Sequence, residues 1–347
     1  MSEDFLSFPA HLPQPTPVET AEYEPGIALP EEVTERNTPL ILKGFVAHWP
    51  LVSQAMRDVE SVHSYLKLFD RGAVVPIAAG SSAMDGRIFY NDQFSGLNVE
   101  QGRAHLGEVL EKIAGATSAG ESPLIYLASA EVDEVLPGLH DENSVPFPDD
   151  LPRASVWIGT KTRIAAHNDL PRNLACVASG RRRFTLFPPD QTPNLYVGPF
   201  ELTPAGRPIS LIDFAQPDFE KFPRFAQAFE HALYADLEAG DALFIPSMWW
   251  HHVESMRGFN ILLNYWWRPV PAHLGTPQDV LNHAMMTLRD LPEAERKIWS
   301  DLFDHYVWSG KAGQGDHVPE HARGILGPID SGTADRTRAY IVSRLNR

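Results

Sequence analysis

The chain has 347 residues, 43% hydrophobic and 21% charged, enough to bury a large core in one domain or two. Its 29 basic and 45 acidic residues give a formal charge of −16, which argues against bulk binding to phosphate backbones through a basic face. A single cysteine, Cys176, excludes an internal disulfide.

The N-terminus, MSEDFLSFPAHLPQPTPVE, has no basic and apolar leader, and no run approaches the ~18 apolar residues of a membrane span, so a cytoplasmic chain is expected. Residues 1–30, rich in proline and acid, are expected to form an extended arm with little structure of its own. LPEEVTERN then reads as a short helix with acids in its first turn, TPLILKGFV as an apolar strand and SVHSYLKLF as a helix. AVVPIAAG and RIFYND read as strands about the turn-forming SSAMDG. In LGEVLEKIAGA, Leu106, Val109, Leu110 and Ile113 follow the spacing of an amphipathic helix.

From Pro123 to Pro269 the pattern changes to short β-rich runs: LIYLAS, ASVWIG, TRIAAHND, NLACVASG, RRFTLFPP, DALFIP and NILLNYWW. Turn signals separate them, and FPRFAQAFEHA is the one helix-like interruption. Many short strands at this spacing predict a jelly roll or barrel. Beyond Pro271 three helices are expected, in PQDVLNHAMMTLRDL, PEAERKIWSDLFDHYVW and SGTADRTRAYIVSRL. The expected organisation is an arm over 1–30, a β domain over 31–270 and a helical region over 271–347.

IAAHNDLPRN, residues 164–173, sets His167 and Asp169 two apart in a strand-like run, where alternate residues share a face. Alone the pair is a weak signal among 14 histidines and 45 acids. A third ligand would come from another strand, and the candidate is His251 in DALFIPSMWWHHVES, where His251 and His252 end a strand-like run. Two histidines and a carboxylate take one face of an octahedral ion and leave three adjacent positions open, as in non-haem Fe(II) oxygenases. A closed structural zinc site would want four ligands, usually with thiolates. The plain alternative is an aromatic core with a polar rim around WWHH. In this acidic chain the basic patch Arg181-Arg182-Arg183 is a candidate grip for one small anion.

The order of H-x-D, the LFPP strand end and IPxxWWHH resembles the JmjC (cupin-like) Fe(II)/2-oxoglutarate oxygenases, nearest to the branch containing the asparaginyl hydroxylase of hypoxia-inducible factor. The resemblance covers about residues 120–269, extends to NTPLILKGFVAHWP and fades in the helical tail. It implies a mainly β fold, a double-stranded β-helix (jelly roll) core with flanking helices. It also implies that His167, Asp169 and His251 hold Fe(II), with His252 pointing to the opposite side. By the same resemblance Asn173 and Asn264 lie at the cosubstrate site, and Tyr126 hydrogen-bonds the distal carboxylate of 2-oxoglutarate. Arg182 stands where the family has a lysine anchor. With Arg182 on the interior face beside Phe184 and Leu186, Arg181 and Arg183 are expected to face out. This chain departs from the family pattern at Ile164, in place of a threonine, and at Ala128, in place of a glutamine. Trp266 is a further candidate for the pocket wall.

The implied activity is hydroxylation of a C–H bond with 2-oxoglutarate and O₂, on a peptide or protein side chain. Two alternatives stand beside it: the same chemistry on a small metabolite or RNA base, and a metal-binding cupin-like ligand sensor without turnover. Demethylation is disfavoured, since no aromatic cage is visible. Neither nucleic acid nor membrane is an expected partner. Substrate recognition is expected in the loops GLHDENSVPFPDDLP and ELTPAGRPIS. The related hydroxylase dimerises through C-terminal helices, and Trp299, Leu302, Phe303 and Tyr306 supply an apolar stripe here, so a homodimer is expected.

Overall fold

The computed structural model describes residues 14–147, 152–204, 206–309 and 314–345. Two compact units divide the chain, one ending at Trp267 and one beginning at Arg268. The first seven strands of the first unit are β1 (Thr16–Pro17), β2 (Thr20–Glu22), β3 (Leu40–Lys43), β4 (Val74–Gly80), β5 (Arg87–Ile88), β6 (Glu100–His105) and β7 (Leu124–Glu131). The remaining eight are β8 (Arg153–Gly159), β9 (Thr162–Asn168), β10 (Arg172–Ser179), β11 (Arg181–Phe187), β12 (Leu233–Glu238), β13 (Ala242–Ile245), β14 (Trp250–Ser255) and β15 (Asn260–Trp267). Its helices are α1 (Glu31–Thr34), α2 (Pro50–Ala55), α3 (Val59–Lys67), α4 (Leu106–Ser118), α5 (Val132–Val135), α6 (Leu139–Glu142) and α7 (Phe225–Glu230).

Six strands form one sheet in the order β1-β12-β11-β14-β9-β5, and nine form the other in the order β2-β3-β13-β10-β15-β8-β7-β4-β6. From β8 to β15 the chain passes back and forth between the two sheets, four strands in each, which is the winding of a double-stranded β-helix. The fold is therefore mainly β, a jelly-roll core with flanking helices.

Burial on both faces explains why β10 reads as the unbroken apolar run LACVA. Ala175 and Val177 join Phe184, Leu186, Leu237, Leu243, Ile245, Val253 and Leu262 in one cluster. Leu174, Cys176 and Ala178 join a second cluster that includes Leu51 of α2, Val62 and Leu66 of α3, and Leu106, Val109, Leu110 and Ile113 of α4. The amphipathic spacing of α4 thus delivers all four predicted apolar positions to the core.

The structure differs from the sequence reading in several places. Residues 1–13 of the expected arm lie outside the described residues, as do 148–151 in one expected recognition loop and residue 205 in the other. From Thr16 onward the arm is built into the fold: β1 pairs in parallel with β12, β2 with β3, and Val18 is buried. The strands β6 and β12 were not expected, because EQGRAH is polar and exposed and LYADLE carries two acids. DALFIPSMWWHHVES is two strands rather than one, so His251 and His252 begin β14 instead of ending a run.

The second unit contains α8 (Pro277–Leu288), α9 (Glu293–Phe303) followed by a π turn over Asp304–Trp308, and α10 (Ser331–Leu345). Thr276 caps α8 by accepting from the Gln278 N–H at 3.2 Å. Neither α8 nor α9 buries a residue. Among the described residues no helix is long and apolar enough to cross a membrane.

Candidate metal centre

β9 and β14 are antiparallel neighbours in the six-stranded sheet, with His167 directly opposite His251. Their rings lie 4.3 Å apart between centroids, and Asp169, just past the end of β9, brings its Oδ2 to 3.7 Å from His251 Nε2. One ligand atom from each of the three residues falls within 4.8 Å of the others, close enough for one ion to join them. His167 Nδ1 lies 2.9 Å from the Ala165 carbonyl and His251 Nδ1 lies 3.0 Å from the Trp249 carbonyl. A carbonyl only accepts, so each Nδ1 carries the proton and each Nε2 keeps its lone pair for a metal. Burial, and then the neighbouring His167, push the His251 imidazole down to about 4, so it is neutral at pH 7 as ligation requires. His252 alternates to the other face, where its ring sits 4.7 Å from that of Phe214 and burial pushes it down to about 3.

Three consecutive carbonyls around the carboxylate ligand are held by hydrogen bonds from separate places. Arg207 Nε donates to Asn168 O at 3.1 Å, the Met248 N–H to Asp169 O at 2.8 Å, and Ser247 Oγ to Leu170 O at 2.6 Å. Met248 reaches its acceptor from a left-handed backbone (φ 65°), which a side chain other than glycine adopts only under strain. The turn between β13 and β14 therefore fixes Asp169 and aims His251 at once.

The triad opens on a cavity of about 340 Å³. Every other site candidate from the sequence lines it as well: Tyr126, Ala128, Ile164, Asn173, Arg182, Asn264 and Trp266. Arg182 is 2% exposed and forms no ion pair with a carboxylate among the described residues, and its Nε has no acceptor. Burial lowers the guanidinium to about 10, so it stays cationic at neutral pH. Burial raises the Tyr126 hydroxyl. Asn264 Nδ2 donates to Asn173 Oδ1 at 2.7 Å across β15 and β10, leaving Asn264 Oδ1 buried without a donor.

Alternation along β11 sends Arg182, Phe184 and Leu186 inward, as expected. Arg183, expected to face out, is only 6% exposed: on the far face it grips Asp236 of β12 through Nε and Nη2, both at 2.6 Å. Arg181 is half-buried and lies 3.4 Å from Glu238. The three arginines therefore do not make one patch.

Two strand irregularities shape the wall in ways that alternation does not foresee. Between the pairs His167–His251 and Ile164–Val253 the register of β9 slips, so Ile164 reaches the same cavity as His167 from three positions away. A second slip in β7, between Leu127 and Ala130, leaves Ser129 at φ 33° and puts Ala128 and Ser129 beside Tyr126 in the wall. Trp157 of β8, Arg207, Ser247 and Met248 were missed from the sequence; the loop residues have no periodic signal, and a tryptophan in an apolar strand reads as plain core.

The donor set fits a divalent metal of the iron type: two imidazoles, one carboxylate and no thiolate. Arg182, a buried cation without a protein carboxylate, fits an anionic ligand beside it.

Comparison with known proteins gives the family. Residues 27–273 match the cupin-like domain. A tRNA wybutosine-synthesizing protein 5 from Gallus gallus is 35% identical over 149 residues, 39% of this chain and 44% of the relative. The Jumonji C domain-containing protein 5 of Drosophila melanogaster is 29% identical over 244 residues, 67% of this chain and 55% of the relative. The Homo sapiens bifunctional peptidase and (3S)-lysyl hydroxylase JMJD7 is 27% identical over 260 residues, 67% of this chain and 77% of the relative. Against the first two, the chain spans about half of the relative's length. The domain match covers the whole winding from β3 to β15 and all three residues of the triad, and the chain belongs to the cupin-like (JmjC) domain family.

Proposed function

We propose that this protein is an Fe(II)- and 2-oxoglutarate-dependent hydroxylase acting on a peptide or protein side chain. The observation that carries the reading is Arg182: a buried guanidinium without a carboxylate partner, in the same cavity as a His-Asp-His triad. When bound, iron and 2-oxoglutarate supply coupled oxidation: the cosubstrate loses CO₂ and takes one oxygen of O₂ to become succinate, and the other enters a substrate C–H bond as hydroxyl.

This chain's residues do the rest. His167, Asp169 and His251 would hold the metal, each through one ligand atom. Arg182 and the Tyr126 hydroxyl hold the far carboxylate of 2-oxoglutarate, a charge-assisted contact strengthened by exclusion from water. Arginine serves where related chains use lysine because its planar fork meets a carboxylate with two N–H groups. The Asn173–Asn264 hydrogen bond holds two polar side chains of the same cavity wall in place. The choice of a protein side chain follows the motif resemblance and the lysyl hydroxylase among the relatives. The exposed apolar side chains of α8, α9 and α10 support a homodimer.

A second reading keeps the chemistry but moves it to an RNA base, favoured by the relative named for tRNA wybutosine synthesis. The formal charge of −16 weighs against it, since RNA binding draws on a basic face.

The test is succinate release from 2-oxoglutarate by the Fe(II)-loaded protein under O₂. Asp169→Ala is expected to lower it by about 100-fold, as loss of a ligand weakens the metal site more than loss of an outer partner. Failure of the metal-loaded protein to bind 2-oxoglutarate anaerobically would overturn the reading.

A further inference from the structure

We infer that the group this protein places before its metal is an uncharged apolar side chain, aliphatic or aromatic, and not a cation of the lysine or arginine type. The inference rests on the hydroxylase reading for what the metal does, but its evidence is the cavity wall. Ile88, Val99, Ala128, Trp157 and Ile164 pack with Tyr126 into one apolar cluster, and all of them line the cavity. The backbone is arranged to make that wall: the slip in β9 turns Ile164 inward, and the slip in β7 presents Ala128.

Charge points the same way. Among the described residues lining the cavity, Asp169 is the only acid and Arg182 the only Lys- or Arg-type cation. Asp169 belongs to the triad and Arg182 is committed to the cosubstrate, so an ammonium or guanidinium entering this space would find no free carboxylate. A buried cation without a counter-charge is strongly disfavoured. Trp157 and Trp266, both in the cavity wall, also carry buried Nε1 donors without an acceptor, and a cation brings only further donors. The one comparable acceptor is Asn264 Oδ1. An apolar group carries no charge to be left unmatched and adds hydrophobic burial.

The test loads the protein with Mn(II) and 2-oxoglutarate and reads paramagnetic broadening of small probes by proton NMR. N-acetyl-leucinamide and N-acetyl-phenylalaninamide are expected to broaden at about tenfold lower concentration than N-acetyl-lysinamide, a difference of about 1.4 kcal/mol. Ile164→Glu is expected to reverse that order by supplying the missing acid. Val99→Asp does the same from a half-buried loop position, so the comparison survives if the strand variant does not fold. Equal or stronger broadening of the lysine probe, or none of the apolar probes, overturns the inference. Calorimetry of 2-oxoglutarate binding on the same Mn(II)-loaded sample keeps the two readings apart. Apolar preference without cosubstrate binding sinks the hydroxylase reading alone, and cosubstrate binding with lysine preference sinks this inference alone.

Discussion

Arg182 is the residue at which structure and chemistry press hardest on each other. Its guanidinium is buried, lowered to about 10 by that burial, and has no carboxylate among the described residues to offset the loss of water. Such a group costs stability in the ligand-free protein and is offset only when an anion arrives. Arg182→Met is therefore expected to raise the stability of the ligand-free protein by about 1 kcal/mol or more in chemical denaturation. The same substitution should weaken 2-oxoglutarate binding by about 10- to 100-fold, the range for a hydrogen bond to a charged group, with metal affinity unchanged. Arg182→Lys should fall between the two, because a point charge replaces a two-pronged fork. A drop in stability with unchanged 2-oxoglutarate affinity would make Arg182 a structural residue. The inward direction of Arg182 was legible in the sequence, since RRRFTLF alternates once the strand is placed. The fate of Arg183 was not, because its burial depends on Asp236 in β12, a partner contributed by a strand that its own residues do not announce.

At the scale of elements, the turn between β13 and β14 joins two of the three candidate ligands. It aims His251 and, through Ser247 Oγ and the Met248 N–H, holds the carbonyls of Leu170 and Asp169. Ser247→Ala removes one of these holds without touching a ligand. The expected result is about 1 kcal/mol of stability lost, and about tenfold weaker metal binding in competition with a chelator, the lower end of what outer partners contribute. Met248→Gly relieves the left-handed strain and keeps the N–H, so metal affinity should be retained. If Ser247→Ala loses stability but binds metal as tightly as the unaltered protein, the turn supports the fold and not the site. Central strands were legible because burial on both faces leaves continuous apolar runs, as in β10. The polar edge strand β6 was not, nor were the slips in β7 and β9. A slip is a property of how two strands pair, and one strand's sequence does not record it. That is why Ile164 could be flagged as a departure while its position beside His167 could not be derived from alternation.

For the whole molecule the open question is what covers the second unit. Its helices leave Val280, Leu281, Met286, Ile298, Trp299, Tyr306 and Trp308 between 44% and 71% exposed, and neither α8 nor α9 has a buried residue. Amphipathic helices in water gain their stability by burying one face, so helices with this much apolar surface exposed need a partner surface. A second copy is the partner the sequence resemblance suggests, and the two-fold pairing of identical faces would cover both at once. Light scattering coupled to size exclusion is then expected to give twice the chain mass at micromolar concentration. Ile298→Asp combined with Trp299→Asp places two charges on that surface and should yield a monomer. The first unit has its own core and carries the triad, so succinate release by the monomer should stay within about threefold of the dimer, a change of about 0.7 kcal/mol. A monomer from the unaltered chain would overturn the homodimer, and loss of activity with dimerisation intact would place these helices in the chemistry instead.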